Sequence, residues 1–226
     1  MATAVETPAV PLEGEKRFLL RDVGWDGYLT LLRLVGDGAV RITYDREDAE
    51  LMSPLPRHER GRSLLARFLE TVTEELDIPI ASFAATTLKR KDLNRGLEAD
   101  ASYYVGDLSR IEEYNDLDLR KDPPPDLAIE VEITRSVLSR LGIYGALGVP
   151  EVWRFDGERV KILARQDDGT YREAPESSFL PTISLDEVQG FAVESREHDD
   201  NAWARSVRRW LAEAVLPRLG REPDPD

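Results

Sequence analysis

Residues 123–134 read Pro-Pro-Pro-Asp-Leu-Ala-Ile-Glu-Val-Glu-Ile-Thr, and no other stretch of the chain restricts its fold as much. Three prolines stop whatever precedes them, because proline lacks the N–H that a helix interior or an inner strand requires. The alternation of Ile129, Val131 and Ile133 then predicts a strand over residues 127–134. Residues i and i+2 of a strand point to one face. Glu130 and Glu132 therefore share a face, opposite three apolar side chains.

A second pair with this spacing, Glu98 and Asp100, lies in another strand-like segment, 97–105. If the two strands are neighbours, their carboxylates gather within a few ångströms. Anions that close raise one another's pKa unless a cation sits among them. A hard divalent ion such as Mg²⁺ suits the place, since it takes oxygen ligands and enters through one or two carboxylates. The competing reading of each pair is the solvated face of an antiparallel strand. It suits Glu98/Asp100 better than Glu130/Glu132, which lie among apolar residues.

The surrounding pattern predicts a helix near residues 25–35, a hairpin over 40–51 and a long amphipathic helix over 57–76. Strand-like segments follow at 80–89, 97–105 and 127–134, with a polar connector over 106–122. A helix over 137–147 ends at Gly148 and Pro150. A hairpin joins 152–155 to 160–164, and a tail helix over 201–216 carries Trp203 and Trp210. This order implies an α/β core: a mixed β-sheet flanked by helices, with an N-terminal helix–hairpin and a C-terminal helix. Residues 1–15 read as a flexible leader, 16–196 as the main domain, 197–219 as the C-terminal helix and 220–226 as a disordered tail.

Composition removes several chemistries. The 226 residues include no cysteine, which excludes disulfides, thiolate catalysis and Cys-ligated metals. No apolar run is long enough to span a membrane, the N-terminus lacks a secretion signal, and a cytoplasmic location is the default expectation. The net charge of −14 opposes nucleic-acid binding, which rests on Lys and Arg neutralising phosphates. Its distribution is uneven, however: residues 57–100 are neutral and hold Arg57, Arg60, Arg62, Arg67, Lys89, Arg90, Lys91 and Arg95. Arg57, Arg60 and Arg62 crowd the start of the long helix, where the dipole disfavours cations.

Gly96 to Tyr104, Pro124 to Glu132, and Tyr144 with Gly148-Val149-Pro150-Glu151-Val152-Trp153 resemble the putative restriction endonuclease family (the Uma-type branch) of the PD-(D/E)XK nuclease superfamily. The run Glu50-Leu51-Met52-Ser53-Pro54, with His58 four residues on, resembles the family's opening, and the likeness spans roughly residues 20–195. The resemblance implies a restriction-endonuclease-like core, Mg²⁺ (or Mn²⁺) as cofactor, DNA as partner and a homodimer. Asp100 matches the first acid and Glu130 the second, with Glu98 as an additional metal ligand. Glu132 stands where the superfamily has lysine, and Arg140 matches a basic position in the following helix. Lys89 is another candidate for the missing cation, and His58 and Glu50 are accessory candidates. Arg57, Arg60, Arg62 and Lys91 are expected to meet DNA. The alternative is a catalytically inactive descendant serving as a binding or assembly module.

Overall fold

The computed structural model describes residues 16–221 except 37, 39, 113–116, 181 and 196–198. The expected leader and the end of the expected tail lie outside the described residues. Two sheets organise the chain. The first is antiparallel, in the order β1-β3-β2-β6-β5, from Lys16–Leu20 (β1), Arg41–Asp45 (β2), Asp48–Ser53 (β3), Thr87–Arg90 (β5) and Arg95–Glu98 (β6). The second, in the order β11-β10-β9-β8-β7-β4, is the mixed sheet that the sequence predicts. It comprises Ile80–Ser82 (β4), Ala101–Val105 (β7), Leu127–Val131 (β8), Glu151–Phe155 (β9), Val160–Arg165 (β10) and Tyr171–Ala174 (β11).

Helix α1 (Gly24–Val35) lies on the first sheet, where Tyr28 stacks on Tyr44 of β2 with ring centroids 4.7 Å apart. Helix α2 (Pro56–Glu75) sets Leu65, Phe68, Leu69 and Val72 against Leu127, Ile129 and Val131 of β8. On the other face of β8, Ala128 packs with Ile143, Tyr144 and Leu147 of α3 (Arg140–Leu147). β8 is thus buried on both faces, as expected of the inner strand of a βαβ unit; β8 and β9 are its parallel pair, with α3 between them in sequence. Helices α4 (Leu185–Glu194) and α5 (Asp200–Trp210) complete the layer around α2. A π-helical turn, Leu211–Val215, prolongs α5. The apolar face of the tail helix is spent on the chain's own core: Trp203, Val207, Leu211 and Val215 are all buried there.

Several boundaries differ from the sequence reading. The segment 80–89 is two strands in different sheets, and so is 97–105. The chain leaves the first sheet at Glu98 and enters the second at Ala101, which puts Asp100 at the corner. Helix α3 starts at Arg140 rather than at 137, because the Ser139 hydroxyl caps it by accepting from the Gly142 N–H at 3.2 Å. Strands β1 and β11 and helix α4 were not expected. β1 is short and on an edge, and its residues do not follow an apolar-in, polar-out pattern: Phe18 and Leu20 are exposed while Arg17 is partly covered.

Candidate active site

Strand pairing brings the two acids together from remote parts of the sequence. β7 and β8 are antiparallel, with Ala101 opposite Ile129. One step further along that register sets Asp100 level with Glu130. Asp100 Oδ2 accepts from the Val131 N–H at 2.7 Å and lies 3.4 Å from His58 Nε2. Asp100 Oδ1 is buried and has no hydrogen-bond partner among the described residues. His58 comes from the first turn of α2 and is fully buried.

Glu130 is held by α3. The Arg140 guanidinium forks it, with Nε donating to Oε1 and Nη2 to Oε2, the latter at 2.8 Å. Tyr144, one turn further along α3, donates its hydroxyl to Oε2 at 2.8 Å. The same guanidinium reaches the first sheet: Nη1 donates to Thr43 Oγ1, and Nη2 to the Glu98 carbonyl at 2.8 Å. A cation does compensate the acids, then, and it is supplied by the chain itself. Arg140, on α3, thus touches both sheets at this point.

These contacts set the protonation balance. Burial alone would lift the Asp100 carboxyl, but His58, Arg140 and the Val131 N–H outweigh it and hold Asp100 below the ordinary value. Burial lifts Glu130 above its ordinary value, with the neighbouring Asp100 charge adding to the rise while Arg140 and Tyr144 pull against it. The Tyr144 phenol is pushed well up, first by burial and then by Glu130. Arg140 stays cationic throughout: burial works against its charge, and the Glu130 carboxylate more than restores it.

Glu132 follows the last residue of β8. Its Oε1 accepts from the Ser136 N–H at 3.1 Å, and Oε2 lies 3.3 Å from Arg154 Nη1. Arg154 sits beside Glu130 in the parallel β8–β9 register. Glu130, Glu132, Arg135, Arg140 and Arg154 line one open cavity of about 700 Å³. Glu50 does not join the acids. Its buried carboxylate accepts from Arg17, from Ser136 Oγ at 3.0 Å and from the N–H groups of Val137 and Leu138 at 2.6 and 3.3 Å. It therefore fixes the loop that forms the cavity wall and leads into Arg140.

Other expectations are corrected. Glu98 is the last residue of β6, and its carboxylate accepts from the Ile42 N–H at 2.7 Å, so Glu98 and Asp100 do not form a same-face pair on one strand. Among the described residues no three His, Asp or Glu side chains converge as a metal cluster. Lys89 is exposed on β5 and lines a different groove together with Lys91. Arg57 and Arg60 line a third groove, which shares Ile133 with the main cavity. Arg60 pairs there with Asp200 at 3.0 Å, and Arg62 pairs with Glu59 at 2.9 Å.

Thr43, Tyr144 and Arg154 escaped the sequence reading as site residues. Tyr144 had a usable signal, since it lies four residues after Arg140 on the same helical face. Thr43 and Arg154 had none, because their nearness depends on strand register.

The donor set can be tested against a divalent cation. Asp100 Oδ1 is an orphaned buried carboxylate oxygen, and Glu130 Oε1 accepts from Arg140 alone. A carboxylate offers about four lone-pair sites, so this pair retains capacity for a hard ion that keeps most of its water. The residues fit such an ion, shared with Arg140.

Residues 25–196 match the family model Uma2, described as putative restriction endonuclease. Among solved structures, a match is the crystal structure of a putative nuclease belonging to DUF820 from Anabaena variabilis ATCC 29413, with 13% identity, 62% of this chain and 83% of that chain covered, and a TM-score of 0.40. No curated protein matches. No described helix is long and apolar enough to cross a membrane.

Proposed function

The chain belongs to the Uma2 family of putative restriction endonucleases, and from that premise we propose that it is a Mg²⁺-dependent endonuclease hydrolysing DNA phosphodiester bonds at the Asp100–Glu130 pair. The observation that carries this reading is the unsatisfied Asp100 Oδ1, buried level with a Glu130 already oriented by Arg140 and Tyr144. Asp100 and Glu130 would hold the ion. When bound, Mg²⁺ or Mn²⁺ supplies an activated water and neutralises charge on the phosphodiester oxygens.

The chain's own residues do the rest. His58 and the Val131 N–H keep Asp100 anionic and aimed. Arg140 fixes the Glu130 rotamer and adds a permanent positive charge beside the cavity; it is not a general base, because a guanidinium stays protonated throughout the physiological pH range. Arg135 and Arg154 give the cavity wall the sign that a phosphate needs. Arg57, on the adjoining groove, extends that track. Assembly as a homodimer belongs to the same reading.

The test is cleavage of plasmid, linear and branched DNA with Mg²⁺ or Mn²⁺. Nicks or cuts are expected from the native chain and none from Asp100→Ala or Glu130→Ala, each checked for folding by circular dichroism. One observation favours a second reading: both oxygens of Glu130 already accept from Arg140. Absence of cleavage on every substrate, with thermal stability unchanged by metal, would establish the inactive binding module instead.

A further inference from the structure

A second groove, of about 310 Å³, shares no lining residue with the Glu130–Arg140 cavity. Trp25, Leu29, Lys89, Lys91, Asp118 and Arg120 are among the residues that line it. Several cations near this groove are tied to carboxylates, as Arg90 is to Asp92 and Arg120 to Asp118. Among the described residues Lys89 and Lys91 form neither an ion pair nor a hydrogen bond, and both are exposed. Two uncompensated ammonium groups at the end of β5 therefore face a groove whose Asp118 is already neutralised.

The aromatic member is held rigidly. The Trp25 indole packs edge-on against Tyr28 at 5.4 Å and against Tyr44 at 5.8 Å. Tyr28 in turn is pinned over Gly96 of β6, where even a Cβ would come within 2.4 Å of its hydroxyl. The ring is half-buried and its orientation is set before any ligand arrives. A fixed aromatic surface beside unpaired cations is the combination that binds single-stranded nucleic acid. Every base has a face to stack, and the backbone follows the positive charge.

We propose that this groove binds a single-stranded segment of DNA, with a base stacked on Trp25 and the adjoining phosphates on Lys89 and Lys91. The proposal rests on the reading of the chain as a DNA enzyme and adds a second contact, outside the Glu130–Arg140 cavity, that holds an unpaired strand.

The experiment is fluorescence anisotropy of a short labelled oligothymidylate with the full chain, in Ca²⁺ across a salt series, next to a duplex of equal length. Trp25→Ala is expected to weaken oligothymidylate binding about tenfold, with Trp25→Phe recovering much of it. The double variant Lys89→Gln/Lys91→Gln, on exposed side chains that folding does not need, should lower the slope of log K against log salt by about 1.4. Neither change should alter duplex binding to the same degree. Binding of oligothymidylate that is indifferent to both variants overturns the groove while leaving the nuclease reading intact. No binding of any DNA by the native chain overturns both. Variant-sensitive binding by a chain that never cleaves keeps the groove and removes the nuclease.

Discussion

The Arg140 guanidinium grips both oxygens of Glu130 inside the protein, with neither side chain more than 8% exposed. Two buried charges in that geometry depend on each other. Removing one partner leaves the other desolvated and unpaired, at a cost of about 3–5 kcal/mol, whereas replacing both by apolar groups is often close to neutral. Arg140→Met and Glu130→Leu should each lower unfolding stability strongly, and the double variant should lose far less than their sum. Urea titration of the four proteins measures the coupling. Strict additivity would show that the fork contributes nothing to the fold.

Asp100 gives an acid-side signature. Its folded-state carboxyl lies below the ordinary 3.8, so near that pH the unfolded chain binds more protons than the folded one. The stability it contributes is present above about pH 4 and is lost as the pH falls through the folded value. The raised Glu130 works with the opposite sign, losing its contribution as the pH rises through its folded value. In Asp100→Asn the acid-side slope below pH 4 should flatten. Urea midpoints measured from pH 3 to 6 test this, and an unchanged slope would mean that Asp100 is not the depressed acid.

Glu50 is expected to act through the loop and not through chemistry. Glu50→Ala removes the acceptor of the Ser136 hydroxyl and of the Val137 and Leu138 amides, and takes one partner from Arg17. These donors are only partly buried, so losing their acceptor costs less than the about 1–3 kcal/mol of a buried unpaired group, and the loop should open locally before the core does. Hydrogen exchange should accelerate at Val137 and Leu138 and stay unchanged at Ile129 on β8. Uniform acceleration across both would make Glu50 a global stabiliser instead.

How much of this was visible in the chain itself divides along one physical line. Local signals sufficed for the period-2 strand around Glu130, the apolar stripe of α2 and the Gly148–Pro150 stop of α3, but not for the Ser139 cap that starts it. Arg140 came to notice only through the family resemblance, which puts a basic residue in the helix after the acidic strand. What failed depended on register and on the other sheet. Glu98 and Asp100 are two residues apart, yet Ala99 and Asp100 form the corner between sheets, so the i, i+2 rule does not apply to them. Glu50 resembles an accessory acid in isolation. Only the folded path of residues 136–138 makes it a loop anchor. Ser184 and Glu187 form a reciprocal capping box at the start of α4, so the unexpected helix did carry a start signal of known type.

Gly96 is where the first sheet admits α1. A Cβ there would stand 2.4 Å from the Tyr28 hydroxyl and 2.9 Å from its ring carbons, closer than real Cβ contacts come. Tyr28 has no room to yield, being fully buried and stacked on Tyr44 with an interplanar angle of 7°. Gly96→Ala should therefore cost about 1–3 kcal/mol, the usual range for an overpacked core. Its backbone is not the reason, since Gly96 does not adopt positive φ. Tyr28→Phe removes a buried hydroxyl that has no partner, so by itself it should be neutral or mildly stabilising. Combined with Gly96→Ala, it relieves only the hydroxyl part of the clash, and the double variant should recover part of the loss. Thermal unfolding of the three proteins decides the matter. Full stability in Gly96→Ala would mean that α1 can lift from β6, and the Trp25 ring would then lose the rigid seat that the groove depends on.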